Sequence, residues 1–230
     1  MPDGELPELV RGYLGRALPA GGDVPREVLV GQAGEMWLKP GGRAMPFTAV
    51  ERFRVDRVAF SWRARFPILR LLSMRVVDRY AAGEGLLEAR LLGVPVMRSS
   101  DRAAAEGEAM RYLAELPWVP HAMQANTELE WRDLGGRSVE VATSVGTSRV
   151  AVGLDFDAAG DIVRASAAGR PHPEGKLVVP RPWAGEFGSY EVVAGVHVPT
   201  RAEVRWELPD GPFTYWRGRV TSLELSPAHG

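Results

Sequence analysis

Phe47-Thr48-Ala49-Val50-Glu51-Arg52-Phe53-Arg54-Val55-Asp56-Arg57-Val58-Ala59-Phe60-Ser61-Trp62-Arg63-Ala64-Arg65-Phe66 is the stretch that decides the fold. Phe47, Ala49, Phe53 and Val55 fall on odd positions, and Val58, Phe60, Trp62, Ala64 and Phe66 on even ones. Arg52, Arg54, Ser61, Arg63 and Arg65 take the opposite side. Alternation of this kind is a strand with one buried and one wet face. The frame slips at Asp56-Arg57, and a slip of one reverses every side chain, so a turn or bulge separates two strands there.

The same period extends outward. Val28, Val30 and Gln32 alternate with Leu29, Gly31 and Ala33 before a Pro40-Gly41-Gly42 turn. Val76–Tyr80 and Leu86–Leu92 read as a hairpin around Gly83-Glu84-Gly85. In the C-terminal half, Gly135-Gly136, Gly146-Thr147, Ala159-Gly160, Ala194-Gly195 and Asp210-Gly211 mark reversals of a meander over 127–225. Helical spacing is confined to an N-terminal helix over 5–18 and a central helix over 101–116, which Pro117 and Pro120 end. Arg170 to Pro182 reads as a long Pro-rich connection that either stays on the surface or forms a lid. Strand and helix do not alternate, so a doubly wound parallel sheet is disfavoured. The expectation is one α+β domain over 1–230: a large curved antiparallel sheet with both helices on its concave side.

Composition narrows the function. Apolar residues make up 45% of the 230 and charged residues 25%, which excludes a disordered chain. With 28 basic and 29 acidic residues there is no excess charge for a nucleic-acid backbone. Cysteine is absent, which removes thiol chemistry and cysteine metal sites, and His121, His172, His197 and His229 show no metal-ligand spacing. No phosphate loop, dinucleotide fingerprint or serine elbow is present, so no cofactor is expected. The N-terminus shows no signal-peptide pattern, and no apolar run reaches the ~18 residues of a spanning helix. A cytoplasmic protein is expected.

Two blocks carry a resemblance. Met110-Arg111-Tyr112-Leu113-Ala114-Glu115-Leu116-Pro117-Trp118-Val119-Pro120 is one. Gly195-Val196-His197-Val198-Pro199-Thr200, followed by Glu203-Val204-Arg205-Trp206 and Tyr215-Trp216-Arg217-Gly218, is the other. Together they resemble a bacterial family of unknown function over about Gly31 to Leu225. The shape that resemblance implies is similar to the half-barrel of the outer-membrane lipoprotein-carrier class, a curved sheet wrapped round helices that can hold an acyl chain.

Candidate site residues follow from spacing. Arg111 and Glu115 are one turn apart on a helix face, either pinning the helix to the sheet or facing a cavity as anion holder and general base. Asp78 and Tyr80 lie on the strand beside Glu88 and Arg90, and the two carboxylates either join outer-face ion pairs or form an acid–base pair. His121, just past the central helix, is the best-placed histidine base, whereas His197 beside the Gly195 turn is expected to face solvent. Trp62, Trp118, Trp131, Trp183, Trp206 and Tyr215 offer apolar walls with polar tips, suited to an amphipathic ligand unless the core consumes them. The expected activity is binding of a hydrophobic or amphipathic small molecule. The alternatives are a cofactor-independent isomerase, cyclase or lyase, and a scaffold that uses the sheet edge.

Overall fold

The computed structural model describes residues 6–69, 72–175 and 177–227. Glu5, where the first helix was expected to begin, lies outside them, as do Lys176 and His229.

The chain opens with helix α1 (Glu8–Ala17), then lays down β1 (Glu27–Met36), β2 (Met45–Arg54), β3 (Phe60–Leu69), β4 (Leu72–Ala81), β5 (Glu84–Leu91) and β6 (Val94–Ser99). Helix α2 (Arg102–Ala114), a 3-10 turn at Leu116–Trp118 and helix α3 (Pro120–Ala125) follow. The meander is β7 (Glu130–Gly135), β8 (Ser138–Val145), β9 (Ser148–Phe156), β10 (Ile162–Glu174), β11 (Leu177–Val193), β12 (Val196–Leu208) and β13 (Gly211–Ser226). All thirteen strands form one antiparallel sheet in the order β6-β5-β4-β3-β2-β1-β13-β12-β11-β10-β9-β8-β7. The last strand therefore pairs with the first, joining the two strand sets at the centre of the sheet.

The slip in the alternation at Asp56-Arg57 is the β2–β3 turn, across which Phe53 faces Phe60. The Arg170–Pro182 stretch is not a loop. It is the β10–β11 hairpin, with Arg170 opposite Arg181 and Glu174 opposite Leu177. Its prolines are tolerated because Pro171 and Pro180 oppose each other beside a bulge after Ala167, where neither needs a ladder donor.

Helix α2 starts at Asp101, whose carboxylate accepts from Ala104 N at 2.8 Å. It packs on β4 and β5 near one margin of the sheet and on β8, β9 and β10 near the other, so the sheet curls around it. Gly85 lets this happen: a Cβ there would meet Ala105 Cα at 2.7 Å. Buried on most of its circumference, α2 sits in the concavity rather than on a surface.

Successive hairpins alternate between the two ends of the sheet. Helices α1 and α3 close one end. Tyr13 donates to Pro117 O at 3.2 Å, Tyr112 donates to Arg54 O at 2.9 Å, and Val58 N donates to Glu128 at 2.8 Å. The opposite end holds the β1–β2, β3–β4, β5–β6, β8–β9, β10–β11 and β12–β13 turns. Burial of inward side chains falls toward that end. Phe53 and Phe47 on β2 are buried and Met45 half-exposed; Tyr80 and Val76 on β4 are buried and Met74 half-exposed. Val198 and Trp206 on β12 are buried, and Leu208 is half-exposed. The half-barrel is filled at its closed end, and at the other end, its mouth, the inward side chains are half-exposed.

Candidate functional site

Inside the curl, one face of α2 presents Glu108 and Arg111, with Glu115 following at the C-cap, spaced three and four residues apart. Arg111 is the hub. Its Nε donates to Glu115 Oε1 at 2.9 Å, Nη1 to Asp78 Oδ2 at 2.6 Å, and Nη2 to Glu51 Oε1 at 2.9 Å. The guanidinium lies 5.0 Å from the Phe60 ring centroid and 5.2 Å from that of Trp62. On β2, Glu51 Oε2 accepts from Gln32 Nε2 at 2.9 Å, and Gln32 Oε1 accepts from Trp62 Nε1 at 2.8 Å. The chain Trp62–Gln32–Glu51–Arg111 crosses from sheet to helix with each step a donor–acceptor match.

Four carboxyl groups surround this one guanidinium. Burial raises Glu51 well above the usual carboxylate range despite Arg111, with Glu115 adding to the rise. Burial likewise raises Glu108, reinforced by Asp78 and opposed by Arg170 and Arg111. Glu115 is raised by burial too, against the pull of Arg111. Burial disfavours the charge on Arg111, but Glu115, Glu51 and Asp78 outweigh it and hold the guanidinium protonated. Asp78 Oδ1, Glu108 Oε2 and Glu115 Oε2 are buried with no donor among the described residues. Burial favours the neutral form of Glu51, Glu108 and Glu115, which brings the cluster toward neutrality. A neutral buried carboxylic acid at pH 7 is a proton donor as well as a structural group.

A second layer lies toward the mouth. Arg170 Nη2 donates to Gly107 O at 3.1 Å and Nη1 to the Tyr215 hydroxyl at 3.3 Å, with Trp183 at 4.8 Å and Trp206 at 5.5 Å from the guanidinium carbon. Trp183 Nε1 also donates to the Tyr215 hydroxyl, at 3.0 Å. That oxygen receives two donors, and its own proton has no acceptor among the described residues. His172 stands edge-on to Trp206 at 4.5 Å, and Trp206 stacks on Tyr215 at 6.1 Å. Burial lowers the His172 pKa, leaving a neutral ring whose Nδ1 has no hydrogen-bond donor among the described residues.

Arg111, Glu115 and Asp78 meet in one cluster. Glu88 does not join them: Asp78 opposes Leu87, so Glu88 points outward, where Arg90 holds its carboxylate below the usual range. Tyr80 is a buried inward residue two positions from Asp78, and burial raises its pKa. His121 is buried at the start of α3, outside the Arg111 cluster, and burial lowers its pKa. His197 is not turned to solvent; it is half-buried against Tyr190 and bonded to Asp161 at 3.1 Å.

Trp62, Trp118, Trp183 and Trp206 are buried, and the first three spend their N–H on Gln32, Pro199 O and Tyr215. Trp131 is half-buried on β7, and Tyr215 is half-buried toward the mouth. Glu51, Glu108, Gln32 and Arg170 were not anticipated. The signal was in the alternation: Gln32 and Glu51 occupy the frame of Val28, Val30, Phe47 and Phe53, so polar side chains there had to point inward. Among the described residues there is no cluster of His, Cys, Asp and Glu suited to a metal ion. Nor is any helix among them long and apolar enough to cross a membrane.

The architecture is similar to two solved structures. A LolA superfamily protein from Nitrosomonas europaea superposes with a TM-score of 0.51 at 11% identity, covering 94% of this chain and 91% of that one. A DUF1329 family protein from Desulfovibrio piger gives a TM-score of 0.51 at 11% identity, covering 90% and 89%. No curated protein matches the chain. Residues 2–218 match the family of unknown function DUF6544, and the chain belongs to that family.

Proposed function

We propose that the protein binds a hydrophobic or amphipathic small molecule in the mouth of the half-barrel. The observation that carries this reading is the burial gradient. Met36, Met45, Met74, Leu208 and Phe213 are inward-facing and apolar yet half-exposed at the open end. Methionines on one wall supply a deformable apolar surface, and the row His172–Trp206–Tyr215 supplies a rigid one. The spare Tyr215 proton and the neutral His172 ring can bind a carbonyl, hydroxyl or carboxylate where the apolar body ends.

The test uses cis-parinaric acid, whose fluorescence rises in apolar surroundings. Wild type is expected to bind it at micromolar concentration and release it to palmitate. A Met74→Asp/Phe213→Asp double variant with unchanged circular dichroism should lose that signal. Equal binding by both proteins would overturn the reading.

A second reading rests on the Arg111 cluster. Its raised carboxyl groups and orphaned oxygens support a cofactor-independent isomerase, cyclase or lyase in which Glu115 and Asp78 move a proton on a ligand held above them. Turnover of a bound metabolite that Glu115→Gln abolishes without loss of binding would establish it.

A further inference from the structure

The large apolar side chains left in solvent are unevenly placed. Leu38 is 76% exposed, Ile68 49%, Leu92 80%, Val94 62%, Leu177 69% and Val178 48%. These six belong to hairpins at the open end, β1–β2, β3–β4, β5–β6 or β10–β11, whereas at the closed-end hairpins Val192 at 72% and Leu134 at 49% stand singly. Scattered exposed leucines need no explanation, but a ring of them around one opening does.

Basic residues accompany this rim. Lys39 and Arg43 flank Leu38 in the β1–β2 turn and are exposed. On the outer face behind the β3–β4 turn, Arg63, Arg65 and Arg75 line a shallow groove with Thr48, Val50 and Val77. Arg65 and Arg75 oppose each other directly across the strand pair. Like charges in that position repel, and no carboxylate among the described residues pairs with either. The groove lies three residues from Ile68, roughly 10 Å behind the tip at the rise of a strand. The turns at the closed end are mixed: Asp56 is paired with Arg54 and Arg57, and Arg137 lies beside Asp157 and donates to its carbonyl. At the open end Glu174 is paired with Arg181 and Glu207 with Arg205, while Glu35 and Asp210 stand beside the basic residues. A net charge of −1 thus coexists with a locally basic, apolar patch at the β1–β2 and β3–β4 hairpins of the open end.

We infer that the open-end hairpins dock on a lipid bilayer containing anionic phospholipids. Leu38, Ile68, Leu92 and Leu177 enter the boundary between headgroups and acyl chains, and Arg65 and Arg75 sit at phosphate depth. Charge complementarity and the ~10 Å offset between apolar tips and arginines match an interfacial layer of 5–10 Å. A second copy of this chain would bring two basic patches together. The inference is independent of what the mouth holds.

The test is co-sedimentation of the full chain with vesicles of phosphatidylcholine alone, or mixed about equally with phosphatidylglycerol. Binding to the mixed vesicles is expected, with loss in high salt. Arg65→Glu/Arg75→Glu should weaken it by at least ~tenfold, and Ile68→Asp/Leu92→Asp should abolish it; all four positions are surface-exposed, and circular dichroism checks the fold. No binding to mixed vesicles, or binding that neither variant alters, would overturn the inference. So would light scattering that shows a dimer, lost in Ile68→Asp/Leu92→Asp, in place of vesicle binding.

Discussion

Arg111 Nη1 donates to Asp78 Oδ2 at 2.6 Å, joining the helix inside the curl to the fourth strand of the sheet. The same guanidinium reaches Glu51 on the second strand and Glu115 on its own helix. Removing it leaves carboxyl groups in a low-dielectric interior without a counter-charge. Arg111→Met should therefore destabilise the fold by about 3–5 kcal/mol, measured by urea denaturation. Arg111→Lys should recover little of this, since one ammonium cannot reproduce the planar fork that serves three partners.

Stability should fall as pH rises. Glu51 and Glu108 titrate higher in the folded protein than in the unfolded chain. Their stabilising contribution is complete below the ordinary carboxyl value of about 4.3 and is lost as pH climbs through the raised folded values. The wild-type Tm should decrease as pH rises above that ordinary carboxyl value. Glu108→Gln keeps the neutral form at every pH and should flatten that curve, with a Tm at the alkaline end no lower than wild type.

Gln32→Leu tests the polar relay across the sheet. It orphans Trp62 Nε1 and one oxygen of Glu51 together, at about 1–3 kcal/mol for each group. Hydrogen exchange at the indole N–H of Trp62 should accelerate in step with the loss.

The seating of α2 rests on Gly85. Gly85→Val pushes a side chain into Ala105 backbone at a point where a Cβ alone would be 2.7 Å away. Overpacking of this kind costs about 1–3 kcal/mol, and because α2 carries Arg111, the cluster should open with it. Loss of protection at α2 amides exceeding that at the β12–β13 pair would show that the helix is displaced first.

Much of this was readable in the sequence because it depends on period and turns. The β2–β3 reversal, the β4–β5 hairpin and the central helix each follow from local spacing, as does the pairing of Arg111 with Glu115. What was not readable depends on which strand lies opposite which. Glu88 lies between the inward Leu87 and Ala89, which is known only once the register is known, and a shift of one would have turned it in. The β10–β11 hairpin was hidden by prolines, which argue against strands unless they sit beside bulges. Glu51 lay in plain sight on an apolar frame, but its partner is 60 positions away on a helix, and no local pattern announces that distance.

The mouth is tested most directly by methyl NMR on protein labelled at the methionines, titrated with palmitate. Met36, Met45 and Met74 line one wall at the open end, whereas Met110 and Met123 are 6% and 1% exposed in the core. Ligand held in the mouth should shift the first three resonances together, saturably, and leave the core pair in place. Saturable shifts confined to Met110 and Met123, or no shift at all, would contradict a ligand site at the open end.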